Sequence, residues 1–240
     1  MLYDKIIKSE RKKISVLIDP DKQSLSQVAK TAKNAELADI DFFLVGGSLI
    51  STGLDETITT IKENSSKPVI LFPGSILQIS DKADGILLLS LISGKNPDLL
   101  IGNHIIVAPL LKKSNLEIIP TGYMLIDSGR KTSVEYMSNT KPIPADKTDI
   151  AVAVALAGEM TGKKLIYLEA GSGAKNHVSP EMIAKVKQNI SIPLIVGGGI
   201  RNTEILKTVC NAGADIIVVG TVAEKNSVVL QDYSDIVHSY

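Results

Sequence analysis

Eight short apolar runs recur along the chain, and most are followed by a segment with helical periodicity. They read as strands at 14–18, 42–45, 68–72, 86–89, 117–126, 165–168, 193–196 and 216–219. Their repeat is roughly 25–30 residues, about one βα unit. The runs are rich in valine, isoleucine and leucine and show little polar alternation, as strands of a parallel sheet covered by helices do. The pattern predicts a (β/α)8 TIM barrel, folded as a single domain over 1–240. A doubly wound sheet is the structural alternative. It would carry a G-x-G-x-x-G fingerprint after the first strand, where this chain has Asp19-Pro20-Asp21-Lys22.

One connection breaks the rhythm. Too few residues separate the third run from the fourth for a full crossover helix, so the helix after strand 3 is expected to be reduced or missing. Ser24 and Gln27 form a capping-box pattern ahead of a helix reaching about Leu37, and Ser179-Pro180 opens another. A helix is expected over 96–113, broken near Pro109. The segment 127–147 reads as a long irregular loop, of the kind that forms lids. The alanine-rich stretch 150–157 is apolar nearly all round. It is expected to be buried, against a ligand or a second subunit, which suggests a homo-oligomer.

Composition excludes several classes. Lys and Arg total 26, as do Asp and Glu, so nothing favours nucleic acid or an anionic membrane surface. A single cysteine, Cys210, leaves no internal disulfide and fits a reducing, cytoplasmic setting; on its helical pattern it reads as a core residue. No apolar run approaches the roughly 18 residues of a membrane span.

The chemistry gathers where strands stop. In such barrels the active site lies at the carboxyl ends of strands, with phosphate commonly held after strands seven and eight. Gly198-Gly199 and Gly220-Thr221 fall there, and Gly171-Ser172-Gly173 ends strand six. Three glycine turns offering bare N–H groups predict one phosphate site. Asp19 ends strand one and is the candidate Mg²⁺ ligand, since hard cations take one or two carboxylates plus water and phosphate oxygens. Ser48, after Gly46-Gly47, offers a hydroxyl to the same ion. Tyr167 and Glu169 alternate onto one side of strand six. Glu169 is the candidate general base, and Tyr167 a hydrogen-bond donor to an anionic head group. Arg130 and Lys131 in the long loop are placed to reach a second anion or to be solvated. His104, His177 and His238 have no ligand spacing.

These residues together resemble the geranylgeranylglyceryl phosphate synthase family, which also includes bacterial heptaprenylglyceryl phosphate synthases. The resemblance rests on Leu17-Ile18-Asp19-Pro20-Asp21-Lys22, Val45-Gly46-Gly47-Ser48, the stretch from Tyr167 to Ala174, Gly197-Gly198-Gly199-Ile200-Arg201 and Val219-Gly220-Thr221. It implies a prenyltransferase joining sn-glycerol 1-phosphate to a polyprenyl diphosphate through an ether bond with Mg²⁺. The length and the GGS and YLEAGSGA wording favour geranylgeranyl diphosphate as donor. By matching motifs, Asp19 and Ser48 bind the metal. Tyr167, Leu168, Glu169, Ala170, Gly171, Ser172 and Gly173, with Gly198, Gly199, Gly220 and Thr221, bind glycerol 1-phosphate. The family barrel lacks its third helix, in line with the short connection above. Two other readings stay open from the residues alone. One is a phosphate-binding isomerase or synthase of histidine or tryptophan biosynthesis, with Asp19 and Asp127 as acid and base. The other is a non-catalytic phosphometabolite-binding barrel.

Overall fold

The computed structural model describes residues 1–7, 11–51 and 53–240. Strands β1 (Lys13–Ile18), β2 (Phe42–Val45), β3 (Val69–Leu71), β4 (Gly85–Leu91), β5 (Glu117–Leu125), β6 (Leu165–Glu169), β7 (Leu194–Gly197) and β8 (Ile216–Val219) each pair in parallel with their chain neighbours. β8 closes on β1, with Ile14 opposite Ile217. Before β1 stands α1 (Leu2–Ile7). The outer layer is α2 (Leu25–Leu37), α3 (Leu54–Asn64), α4 (Asn103–Leu111), α5 (Ser133–Ser138), α6 (Thr148–Met160), α7 (Pro180–Asn189), α8 (Thr203–Asn211), α9 (Thr221–Lys225) and α10 (Leu230–His238).

Strand alternation divides the apolar residues into two cores. Phe42, Leu44, Ile70, Tyr123, Tyr167 and Val218 fill the barrel interior. Val16, Phe43, Val45, Ile166, Leu168 and Val196 face outward under the helices. The helices meet them with one stripe each; on α2 it is Val28, Thr31, Ala32 and Ala35. The Ser24–Gln27 capping box starts α2, and Ser179 caps α7 with Pro180 at its first position, both as expected.

No helix follows β3. Residues 72–84 form turns instead, held by Gln78, whose side chain accepts from the Gly74 amide and donates to the Gly47 carbonyl. Two expectations need correction, and that for α6 is met on one side within the chain. The helix over 96–113 is not broken at Pro109: α4 runs through it after a π-helical turn at Asp98–Gly102. Pro109 and Ile105 both lie on an exposed face, so the carbonyl deprived of its helical partner can turn to water. α6 is buried by this chain along one stripe and leaves its other apolar residues for a contact outside it. Only Ala151, Ala155 and Gly158 are buried, while Ile150 and Met160 are 44% and 80% exposed. The loop 127–147 is not wholly irregular. Thr132 caps the short helix α5, and Ile143 bridges to Ile126.

The amino end of the barrel is closed by a repeated device. An aspartate stands immediately before β2, β4 and β8, and each clips the preceding strand twice. Asp41 accepts the Ile14 N–H at 2.8 Å and donates its own N–H to the Ile14 carbonyl at 3.0 Å. Asp84 does the same to Val69, and Asp215 to Leu194. Each carboxylate also holds a lysine: Lys13 at 2.9 Å, Lys62 at 2.7 Å and Lys187 at 2.7 Å. Asp41 further accepts from His238 Nε2 at 3.0 Å, which fastens the end of α10. Burial alone would raise the Asp41 pKa, but the hydrogen bonds from His238, Lys13 and Ile14 outweigh it and hold it below the usual 3.8.

Replacing Asp41 by alanine strands Lys13 and the Ile14 amide, and is expected to cost about 3 kcal/mol in urea unfolding at neutral pH. Because the folded pKa is depressed, this contribution is present above the unfolded value and lost as pH falls through the folded one. The gap between wild type and Asp41→Ala is therefore expected to shrink below about pH 4. A gap constant down to the lowest folded pH would show that Asp41 ionisation contributes nothing.

Candidate active site

The site is built on the interior face of β6. Tyr167 and Glu169 project from alternate positions of one strand onto the same side, as their spacing predicts. They are not surface groups: Tyr167 is fully buried and Glu169 is 5% exposed. Tyr167 stacks on Phe72 with ring centroids 5.3 Å apart and meets the edge of Tyr123 at 5.5 Å. These three rings form a floor beneath the carboxylate. Glu169 Oε1 accepts the Gly171 N–H at 2.6 Å. Burial raises the Glu169 pKa above the usual 4.5, against the opposing pull of that amide and of the Tyr167 hydroxyl. Burial, and then the Glu169 charge, push the Tyr123 and Tyr167 phenols well above 10.0. The Tyr167 hydroxyl has no hydrogen-bond partner at normal geometry.

Around Glu169 the glycine turns converge. Gly171, Gly173, Gly198 and Gly199 all have φ between +70° and +96°. At Gly198 a side chain is excluded twice over: φ is +84°, and a Cβ would lie 2.7 Å from Glu169 Oε1 and 2.7 Å from the Gly171 nitrogen. The β6 and β7 turns thus touch through bare backbone, next to the buried carboxylate. Gly220 differs, with φ −123° and only ordinary contact in store for an added Cβ. After it α9 begins at Thr221 with no side-chain cap on its first amides, whereas the first turn of α8 is capped by Asn202. Ser172 lines the same cavity. Leu168 and Ala170 do not: their side chains face the outer core, so any share they take in a ligand is through backbone alone.

Across the cavity stands Asp19, 8% exposed at the end of β1. A Cβ on Gly47 would lie 2.9 Å from its carboxylate, so the β2 turn closes over Asp19 only because residue 47 is glycine. That closure brings Ser48 to the same mouth. Asp21 is occupied elsewhere, accepting the amide and hydroxyl of Ser51 at 3.0 and 3.1 Å. Asp19 holds the Asp21 amide and the Lys22 ammonium, at 3.2 and 3.0 Å; were that ammonium displaced, one carboxylate and one hydroxyl would suit a Mg²⁺ that completes its shell with water and substrate oxygens. Among the described residues no group of three or more His, Cys, Asp or Glu side chains is placed to hold a metal.

All of this opens into one cavity of about 970 Å³. Its other end is apolar, lined by Ile76, Ile79, Leu88, Leu99, Val107 and Met137. It runs where the missing helix would have covered the barrel. Arg130 donates to the Gly173 carbonyl at 3.3 Å and Arg201 to that of Ala174; Lys131 lines the cavity. Asp127 is exposed, accepts the Gly129 amide and does not line the cavity, so Asp19 and Asp127 form no acid–base pair. His104 Nε2 and His177 Nδ1 contact main-chain carbonyls, and Cys210 is a buried core residue.

Sequence reasoning passed over four contributors: Phe72, Tyr123, Lys22 and Glu224. The first two lie on interior positions of β5 and just past β3. Lys22 sits three residues after Asp19 at the entry to α2, a spacing that was visible. Glu224 had no signal, because only the barrel brings α9 beside β1.

A buried hydroxyl without a partner costs stability. Tyr167→Phe is therefore expected to raise the unfolding free energy by about 1 kcal/mol in the ligand-free protein. Urea midpoints measure this; a loss of stability would mean the hydroxyl is satisfied within the protein.

The comparisons with known proteins agree with this geometry. Residues 5–239 match the PcrB family. Geranylgeranylglyceryl phosphate synthase of Spirosoma linguale is 52% identical over 233 residues, covering 97% of this chain and 94% of that protein. The Pyrococcus furiosus protein of the same name is 47% identical over 220 residues, covering 90% and 87%. The crystal structure of (S)-3-O-geranylgeranylglyceryl phosphate synthase from Thermoplasma acidophilum, in complex with its substrate sn-glycerol-1-phosphate, superposes with a TM-score of 0.94 at 36% identity, covering 99% of this chain and 98% of that one. With a closed eight-stranded barrel, a glycine nest beside a buried carboxylate and a match across nearly its whole length, this chain belongs to the PcrB family.

Proposed function

We propose that the chain is a geranylgeranylglyceryl phosphate synthase, forming an ether bond between sn-glycerol 1-phosphate and geranylgeranyl diphosphate and releasing diphosphate. One observation carries the reading. A polar nest and a long apolar groove are two ends of a single cavity, and they meet at a buried carboxylate of raised pKa. A small phosphorylated alcohol fits the first end and a prenyl chain the second. The full-length likeness to proteins of that name supports it.

In this mechanism the phosphate sits on the backbone amides of Gly171–Gly173, Gly198–Gly199 and Gly220–Thr221. The Tyr167 hydroxyl, otherwise orphaned, donates to the glycerol. Glu169 holds the attacking hydroxyl and takes its proton, for which a carboxyl poised above its ordinary pKa is better matched than a solvated one. Asp19 and Ser48 would hold Mg²⁺, which when bound supplies charge neutralisation at the leaving diphosphate. The prenyl tail lies along the groove left by the absent helix, each buried methylene contributing about 0.8 kcal/mol. The aromatic floor excludes water from beneath the reacting carbon.

The reading extends to assembly and location. The π-helical turn exposes Ile101, α4 exposes Ile105, Ile106 and Leu110, and α6 exposes Ile150 and Met160. The two helices follow neighbouring strands, and their apolar faces are proposed as the contact of a homo-oligomer. No helix among the described residues is long and apolar enough to cross a membrane. A cytoplasmic enzyme is proposed, in keeping with one buried free cysteine.

With both substrates and Mg²⁺, product analysis against competing C10 to C35 diphosphates is expected to give mainly the C20 ether. Glu169→Gln is expected to lower kcat by about 10²–10⁴ while leaving glycerol 1-phosphate affinity within a few fold. Near-normal turnover in that variant would remove Glu169 as the base. Analytical ultracentrifugation of an Ile105→Asp, Met160→Asp double variant is expected to show a shift to monomer; an unchanged wild-type oligomer would place the interface elsewhere.

A further inference from the structure

Lys22 stands between the two halves of the site. Its Nζ is 3.0 Å from Asp19 Oδ2 and 3.2 Å from Ser172 Oγ. It therefore spans from the candidate metal carboxylate at β1 to the serine of the β6 nest, 150 positions away in sequence. A second carboxylate, Glu224, feels the charges of both Lys22 and Asp19. Burial comes first in raising the Glu224 pKa, Lys22 opposes it and Asp19 adds to it. A single ammonium thus compensates Asp19 and moderates Glu224, where a divalent cation would later be held. The Lys22 side chain is 44% exposed, on a flexible stem that can swing without disturbing the core.

From this arrangement we propose that Lys22 couples the two subsites by changing partners. With the site empty, its ammonium satisfies Asp19. A divalent cation arriving at Asp19 displaces it, and the freed ammonium pairs with the phosphate seated at Gly171–Gly173, beside Ser172. In the reverse order, a phosphate at the nest draws the ammonium off Asp19 and uncovers the carboxylate for metal. Each ligand so strengthens the other, and the two effects are equal by linkage. Lys22 touches the phosphate and not the reacting carbon, so it is a positioning residue. The proposal rests on the reading of the site given above.

Isothermal titration of glycerol 1-phosphate, in chelator and in saturating Mg²⁺, tests it. In the wild type Mg²⁺ is expected to tighten glycerol 1-phosphate binding on the order of tenfold. In Lys22→Met the same affinity is expected to be weak and nearly independent of Mg²⁺, and Lys22→Arg is expected to restore the dependence in part. A Lys22→Met protein with undiminished Mg²⁺ dependence, or a wild type with none, overturns the coupling while leaving the assigned substrate intact. A wild type that fails to bind glycerol 1-phosphate under either condition overturns the functional reading, and the coupling with it. Circular dichroism melts of the half-exposed variants are expected to match wild type, which keeps a folding defect apart from a binding one.

Discussion

A carboxylate inside an apolar barrel is the constraint on which the site depends. Taking an ionised carboxyl out of water is costly unless hydrogen bonds replace the lost solvation. Glu169 receives one such bond, from the Gly171 amide, and its pKa still rises. The bond dictates the backbone around it. The Gly171 N–H points at the carboxylate two residues back, the chain then turns at φ +96°, and Gly198 passes within contact of both. The same bare backbone that steadies the carboxylate therefore presents the amides of an anion nest. Base and phosphate site are thus built on one shared stretch of backbone.

The second half of the site comes from something left out. An ordinary barrel covers the outside of every strand with a helix. Here residues 72–84 cover β3 and β4 only with turns pinned by Gln78, so outward-facing Ile86 and Leu88 border a cavity and not a helix. The omission costs packed area and supplies a groove contiguous with the nest. A lipid substrate needs both: a dry channel for its tail and a polar end where charge is handled. Phe72 continues the β3 alternation, two residues after inward-facing Ile70, and so stacks on Tyr167 inside the barrel.

Much of this was legible in the sequence because the period of the apolar runs, the glycine stops and the short third connection are all local patterns. The strand alternation that put Tyr167 and Glu169 on one side needed no structure. What escaped was of two kinds. Which side of α6 faces its own core was not readable, because an apolar helix reads alike whether it faces a core or an unfilled surface. The strand sends the Leu168 and Ala170 side chains to the outer core, so their place in the motif is a backbone one. Lys22 and Glu224 depended on closure of the barrel, which sets β1, β6 and α9 side by side. The aspartates before Phe42, Gly85 and Ile216 were a readable signal that the strand pattern masked: one acid at the head of each run.

Those aspartates sharpen the contrast between the two ends of the barrel. At the amino end each carboxylate is paired with a lysine and with a strand amide, and Asp41 also takes His238. These three carboxylates are satisfied within the protein, and the result is stability. At the carboxyl end hydrogen-bonding capacity stays open: the Tyr167 hydroxyl has no partner of normal geometry, Glu169 takes the Gly171 amide, and Asp19 is held by the Asp21 amide and one half-exposed lysine. Unsatisfied buried groups are costly in the empty protein and become favourable when a ligand of matching chemistry completes them. An end that already satisfied itself would have nothing left with which to distinguish substrate from water. The division of labour follows from where hydrogen-bonding capacity is spent on the chain itself and where it is kept for a guest.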